Sequence, residues 1–149
     1  MYPLIINRYV KLFDSKQALD FLVHIVINTD YSNEIKKQSV DMLQITYTHL
    51  PLEVIKEIYK TKIYREKISF CLPYCKDENV HDFAIEVLVG AQSNYVISNA
   101  IATLVPEKFS QRDIDLLKDV YSSTNDVYIR YNIIEKLGKT NIVDLNMEW

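Results

Sequence analysis

Glycine is scarce in this 149-residue chain, which contains only Gly90 and Gly138. The sequence therefore lacks a P-loop, the G-x-G-x-x-G turn of dinucleotide-binding folds and the G-x-S-x-G turn of many hydrolases. Hairpins closed by Asn-Gly turns are absent as well. Each glycine follows a helical pattern, where a left-handed C-terminal cap is common. The scarcity of glycine thus favours an all-α fold.

Cysteine occurs equally rarely, with Cys71 and Cys75 as the only two. Their spacing of four would suit zinc ligands on one helical face, but no second pair of cysteines or histidines lies at a matching spacing. We therefore interpret them as a buried, reduced pair. We expect no metal and no cofactor.

Long apolar segments and positive net charge are also lacking. No segment reaches the ~18 consecutive apolar residues of a membrane span, and Arg8 and Lys11 interrupt the apolar N-terminal stretch. We expect a cytoplasmic protein that does not bind membranes. The net charge of −3 argues against binding nucleic acid through its phosphates and favours basic partners.

What the sequence does contain is helical periodicity. The stretch from Asp77 to Gly90 has apolar residues at the spacing of a core-facing helix, namely Val80, Phe83, Ala84, Val87 and Leu88. Ile85 and Val89 extend this apolar surface beyond the stripe. We therefore predict a helix covered on two sides, around which the other helices pack.

Apolar spacing and capping residues predict the other helices. The predicted segments are 3–13, 15–28, 33–50, 51–63, 65–72, 95–105, 111–121 and 125–138, followed by a tail that packs back on the surface. We predict eight or nine helices stacked as a right-handed solenoid, in a single domain over residues 1–149.

Two helical patterns that end in glycine can be aligned with each other. Asp77 then falls on Asp126 and Leu88 on Leu137, which is an offset of 49 residues, and a weaker copy begins at Ser32. Periods of this length are typical of helical solenoids. A second phase is compatible with the same sequence, with helix pairs that begin near Ser15, Pro51, Asp77 and Ser110.

The aligned residues resemble the HEAT-like repeat family. Its second helix typically has Asp, two residues, Val, Arg, then small and aliphatic residues that end in Leu-Gly. The matching residues are Asp126, Ile129, Arg130, Ile133, Ile134, Leu137 and Gly138. The central helix departs from the pattern because His81 replaces the basic residue. The resemblance implies an α-α superhelix of HEAT or armadillo type, in which Asp126 and Arg130 join neighbouring repeats.

The polar strip of the central helix is the first candidate site. Glu78, Asp82 and Glu86 recur every four residues, so each carboxylate repels the next along the helix. A solvated surface tolerates this arrangement, and a cationic partner would neutralise it. No nucleophile or metal motif accompanies these carboxylates, so we expect a protein that is not an enzyme.

Tyrosine provides the second candidate site. The chain has 11 tyrosines against five phenylalanines, and tyrosine is favoured where a surface becomes buried against a partner. Tyr128 and Tyr131 flank Arg130 on the last helix, and Tyr95 opens the helix after the acidic strip. The alternative is that these tyrosines lie at the edge of the core with their hydroxyls in water.

In size, charge and helical pattern the chain resembles immunity proteins of bacterial toxin systems, whose toxins are often basic nucleases. The resemblance implies an inhibitor that covers the active site of a basic protein. It implies no small-molecule substrate. A scaffold or adaptor subunit is the first alternative. Some DNA-repair glycosylases also resemble HEAT repeats, but they use a basic groove, which an acidic chain does not favour.

Overall fold

The computed structural model describes residues 15–28, 30–46 and 49–140. This part of the chain is helical and contains no β-strand, which confirms the predicted all-α class. The predicted helix at 3–13 and the tail at 141–149 lie outside the described residues. The α-helices are α1 (Ser15–Ile27), α2 (Asn33–Thr46), α3 (Leu52–Tyr59), α4 (Arg65–Ser69), α5 (Val80–Gly90), α6 (Asn94–Thr103), α7 (Gln111–Ser123) and α8 (Val127–Gly138). Short 3₁₀ helices occupy Lys62–Tyr64, Leu72–Tyr74 and Pro106–Lys108.

Two predicted helix starts have capping hydrogen bonds. The Ser110 hydroxyl accepts from the backbone N–H of Asp113 at 3.2 Å, and the Asp113 carboxylate accepts from the backbone N–H of Ser110 at 3.1 Å. This reciprocal pair is a capping box, and it begins α7. At α2, the Ser32 hydroxyl accepts from the N–H of Ile35 at 3.3 Å. The cap residues predicted at these two starts are therefore confirmed.

The prediction of left-handed glycine caps is wrong. Gly90 and Gly138 are the last residues of α5 and α8, and neither has a positive φ. The chain leaves α5 through an extended Ala91 and leaves α8 through a right-handed Lys139. A Cβ added to either glycine would meet no atom within 4 Å. These helix ends therefore need glycine neither for backbone conformation nor for space.

The chain divides into two compact units, Met1–Lys76 and Asp77–Trp149. In the first unit α1 packs against α2 and α3, and α4 packs against α2 and α3. In the second unit α6 packs against α5 and α8, and α7 packs against α8. The prediction of one domain over the whole chain stays a prediction.

The described residues of each unit form two helical hairpins of consecutive helices. The hairpins are α1 with α2, α3 with α4, α5 with α6, and α7 with α8. They begin near Ser15, Pro51, Asp77 and Ser110, so the structure follows the second of the two repeat phases. The offset of 49 residues would instead align α5, the first helix of its hairpin, with α8, the second helix of its hairpin.

The two units share one pattern of buried residues. Matched positions lie 61 to 65 residues apart in all four helices. The pairs are Ala18 with Val80, Leu22 with Ala84, Ile25 with Val87, Val26 with Leu88, Ser39 with Ala100, Val40 with Ile101, Leu43 with Leu104, Leu52 with Ile114, Ile55 with Leu117, Tyr64 with Ile129, Ile68 with Ile133 and Leu72 with Leu137, all of them buried. The period of this chain is therefore a four-helix unit of about 62 residues.

An arginine placed over a tyrosine occurs in both units. Arg65 Nε donates to the carbonyl of Tyr59 at 2.9 Å, and its guanidinium carbon lies 4.8 Å from the centre of the Tyr59 ring. Arg130 Nε donates to the carbonyl of Thr124 at 2.8 Å, and its guanidinium carbon lies 5.0 Å from the centre of the Tyr121 ring. Each arginine thus binds a carbonyl at the end of the preceding helix, where cations are favoured. Arg130 therefore links α8 to the end of α7.

The helix expected to be covered on two sides buries one broad face instead. Phe83, Ala84, Val87 and Leu88 are buried, whereas Val89 is 70% exposed. The main packing partner of α5 is α6, and it is α6 that contacts two helices of the second unit. The prediction that the other helices pack around α5 is therefore wrong. Apolar composition alone did not distinguish a buried valine from an exposed one.

Candidate protein-binding surface

The three carboxylates of the predicted strip are exposed, but they do not share one helix. Glu78 precedes the N-cap residue Asn79, whereas Asp82 and Glu86 lie one turn apart on α5. Asp82 lies in the first turn, where the helix dipole stabilises a negative charge. Among the described residues, neither Asp82 nor Glu86 forms an ion pair. The part of the predicted strip that lies on one helix is therefore this pair.

Glu78 has a cation next to its backbone, which the sequence did not predict. Lys108 Nζ donates to the Glu78 carbonyl at 2.5 Å. His81, the neighbour of Asp82 in the sequence, is 1% exposed, and its two ring nitrogens form hydrogen bonds with Asp113 and with the backbone of Val105. It therefore offers no ring nitrogen to the carboxylates of the strip.

Tyr128 and Tyr131 lie on an exposed apolar face of α8. Val127 is 76% exposed, Tyr128 79%, Tyr131 62% and Ile134 47%. Their spacing places them on the side opposite the buried Ile129, Ile133 and Leu137. We call the surface of Val127, Tyr128, Tyr131 and Ile134 the α8 face. Sequence reasoning missed Val127 and Ile134 as candidates, because they are as apolar as the residues on the buried side of α8.

Tyr95 is 63% exposed in the first turn of α6. Lys136 of α8 donates to the carbonyls of Ala102 and Leu104 at 3.1 and 3.0 Å, and burial is the main cause of a lowered pKa of its ammonium group. The C-terminal ends of α6 and α8 therefore meet, and these packed helices run in the same direction. Their first turns, with Tyr95 and Tyr128, lie toward the other end of the unit.

The acidic pair can be placed relative to that end. Only residues 91–93 separate α5 from α6, so the last turn of α5 lies beside the first turn of α6. Glu86 is thus near the end that carries the tyrosines, and Glu78 is at the opposite end of α5. Glu86 is therefore nearer to Tyr95 along these two helices than Glu78 is, because Glu78 lies at the other end of α5.

Charge is divided unequally between the two units. Residues 77–149 contain 12 acidic and six basic side chains, for a net charge of −6, while residues 1–76 contain eight acidic and 11 basic ones, for +3. The total of −3 conceals this division. Counting charge in each half of the sequence would have revealed it. The acidic character of the chain thus belongs to the unit that carries all six predicted residues.

His81 and Asp113 resemble part of a catalytic triad, but their geometry is structural. His81 Nδ1 accepts from the backbone N–H of Val105 at 3.0 Å, so the ring proton is on Nε2, which donates to Asp113 at 3.2 Å. The ring also lies 5.7 Å from that of Phe109. Both ring nitrogens of the buried His81 therefore have partners within the chain.

The described residues offer neither a metal site nor a membrane-spanning helix. Over 15–28, 30–46 and 49–140, no three His, Cys, Asp or Glu side chains come close enough to hold a metal ion. In the same ranges, no helix has both the length and the apolar character needed to cross a bilayer. Cys71 and Cys75 are buried free thiols, as predicted.

Comparisons with protein-family models, with curated proteins and with solved structures found no match to this chain. The HEAT-like resemblance therefore depends on the residues of α8, because α5, which the offset of 49 residues aligns with α8, is the first helix of its hairpin.

Proposed function

We propose that this chain is a non-catalytic, cytoplasmic protein-binding module whose second unit binds a basic protein. Within this class, an inhibitor of the immunity-protein type is the function we favour. It would cover the active site of a basic toxin, for example a nuclease. The chain itself would need no cofactor, small molecule, nucleic acid or membrane.

The net charge of −6 on residues 77–149 is the observation that carries this proposal. Opposite charge on two partners raises the rate of their encounter, and exposed aromatic side chains supply the contacts that hold a complex. Asp82 and Glu86 provide exposed carboxylates without an ion pair in the described part of the chain, and the α8 face provides the aromatic side chains. The two buried free cysteines suit a reducing cytoplasm.

Neutralisation of a basic partner tests the proposal. The probe is the purified product of the reading frame adjacent to that of this chain, provided that its net charge is positive. An equimolar amount of this chain should abolish its toxic or enzymatic activity. The association rate should fall several-fold between about 50 and about 300 mM NaCl, because salt screens the attraction.

The test variant carries Asp82→Asn and Glu86→Gln on α5. Its matched control carries Glu53→Gln and Glu57→Gln on α3 of the first unit. Both pairs remove two negative charges at a spacing of four residues. The α5 pair should slow association and reduce its salt dependence, and the α3 pair should not. If the two pairs had equal effects, or if the basic neighbour kept its activity, the proposal would be wrong.

A further inference from the structure

We infer that the α8 face is a docking site for a basic amphipathic helix of the partner. This inference rests on the proposed function and names the surface and the partner chemistry through which it would operate. Its starting observation is that four large apolar side chains of α8 are between 47% and 79% exposed.

The first unit supplies an internal comparison for this face. Arg65 and Arg130 occupy equivalent positions, 65 residues apart, and three buried residues around each of them match at the same offset. At that offset Val127 corresponds to Lys62 and Tyr131 to Glu66, both of which are exposed. The fold of the four-helix unit therefore tolerates charged residues at these two positions. Folding does not require the apolar residues there.

The size of the face limits what can bind it. From Val127 to Ile134 the helix rises by roughly 10 Å, so four side chains cover a few hundred Å² at most. A stable complex needs about 800 Å² from each partner. The apolar contact thus needs support from elsewhere in the unit.

The negative charge of the second unit can supply these additional contacts. Two copies of this chain that met through their α8 faces would bring together two units of net charge −6. A positively charged partner would be attracted by the same unit. The neighbouring helix α7 adds Asp115 and Asp119, both exposed. Charge complementarity therefore favours a basic partner over a second copy.

The spacing of the face favours a helix as the bound element. Val127, Tyr131 and Ile134 follow the i, i+4, i+7 ridge of α8. Such a ridge packs into the groove of a second helix that has apolar residues at matching spacing. Lysines on the rest of that helix would face the carboxylates of the unit.

Two synthetic helical peptides of about 18 residues test this inference, with leucine at the i, i+3, i+4, i+7 positions and either lysine or glutamate elsewhere. Binding to the full chain is measured by fluorescence anisotropy. The lysine peptide should bind at least about tenfold more tightly than the glutamate peptide. Sedimentation of the chain alone should show a monomer. A dimer that is abolished by Val127→Lys with Tyr131→Glu would instead identify a second copy of the chain as the occupant of the α8 face.

The decisive variant exchanges residues between the units. Val127→Lys with Tyr131→Glu introduces the side chains of the first unit and leaves the net charge unchanged. It should weaken binding of the lysine peptide at least about tenfold. Val89→Lys with Gln92→Glu makes the same charge exchange at two other exposed positions of the second unit and should change affinity by less than about twofold. If the exchange variant loses helical content, Tyr131→Gln alone should still weaken binding several-fold.

The outcomes separate this inference from the proposed function. If the lysine peptide binds the native and exchanged chains equally, the α8 face is not the docking site, and a basic partner remains possible. If both peptides bind equally well, the partner is not basic and both proposals are wrong. If neither peptide binds while the basic neighbour is neutralised, only the inference fails.

Discussion

His81 and Asp113, 32 residues apart in the sequence, are joined by a hydrogen bond of 3.2 Å between Nε2 and Oδ2. The same carboxylate oxygen accepts from the backbone N–H of Ser110 and so closes the capping box of α7. Because Val105 donates to the other ring nitrogen, one buried imidazole joins the start of α5 to the start of α7 and to the end of α6. This network replaces the basic residue expected at position 81.

We expect His81→Leu to destabilise the chain by about 2–4 kcal/mol, because it leaves the N–H of Val105 and one bond of Asp113 without a partner. His81→Asn should cost less, since its amide oxygen can still accept from Val105. Urea unfolding followed by circular dichroism measures both variants. Equal losses for the two would show that the hydrogen bond to Val105 contributes little.

Phe83→Ala should cost about 3–5 kcal/mol, because the Phe83 ring is 92% buried on the packed face of α5. Val89→Ala on the same helix is the matched control, and its cost should stay within about 0.5 kcal/mol because Val89 is largely exposed. A cost below about 1 kcal/mol for Phe83→Ala would show that this ring is not part of the core.

Structural features that depend on neighbouring residues can be predicted from the sequence, whereas features that depend on residues far apart in the sequence cannot. The cap at Ser110 followed from a short local pattern, because a capping box needs only two residues that are three positions apart. The period of about 62 residues was not recognised, since matched positions such as Leu22 and Ala84 share burial but not identity. Burial of the polar His81 depends on partners 24 and 32 residues away, which no local pattern contains.

The candidate site shows the same limit. The exposure of Glu78, Asp82 and Glu86 was predicted from helical spacing, but α5 begins after Glu78, so only two of them form a strip. Val127 and Ile134 could not be separated from core residues by hydrophobicity. Only the positions of the neighbouring helices show that these two side chains face outward.

Within residues 15–28, 30–46 and 49–140, the buried hydroxyl of Tyr64 has no hydrogen-bond partner, and burial raises the pKa of Tyr64. Its equivalent in the second unit is Ile129, which has no polar atom to satisfy. We expect Tyr64→Phe to raise the free energy of unfolding by up to about 1 kcal/mol, because an unsatisfied hydroxyl is costly to bury. Tyr64→Ala should instead destabilise the chain. A loss of stability in Tyr64→Phe would mean that the hydroxyl has a partner, such as an ordered water molecule.

Burial, and to a lesser degree the neighbouring Cys75, raises the pKa of the Cys71 thiol from 9.0 to about 11. Between these two values the native chain keeps the thiol proton and the unfolded chain loses it. The stabilising contribution of this thiol to the free energy of unfolding is therefore complete below pH 9 and decreases as the pH rises from 9 toward 11. At pH 8 about one thiol in a thousand is ionised, so alkylation of Cys71 in the native chain should be slow.

The measurement for Cys71 is the difference in unfolding free energy between the native chain and Cys71→Ala at pH 8, 9 and 10. Other groups that titrate in this range cancel in the difference. The advantage of the native chain over the variant should decrease above pH 9. A constant difference, or alkylation of Cys71 at the rate of an unfolded peptide, would contradict the raised pKa.

Asp82 and Glu86 repel each other along α5, but the helix dipole affects them differently. Asp82 lies in the first turn of α5, where the dipole stabilises its charge, whereas Glu86 lies one turn further along. Glu86→Gln removes the repulsion and should raise the free energy of unfolding by about 0.2–0.5 kcal/mol at low salt. Asp82→Asn removes the same repulsion together with the favourable dipole interaction, so it should leave stability unchanged or slightly lower. Chemical unfolding at about 20 mM and about 500 mM NaCl tests this difference, which should shrink at high salt. A stabilising effect of Asp82→Asn equal to that of Glu86→Gln would show that the dipole contributes nothing at this helix start.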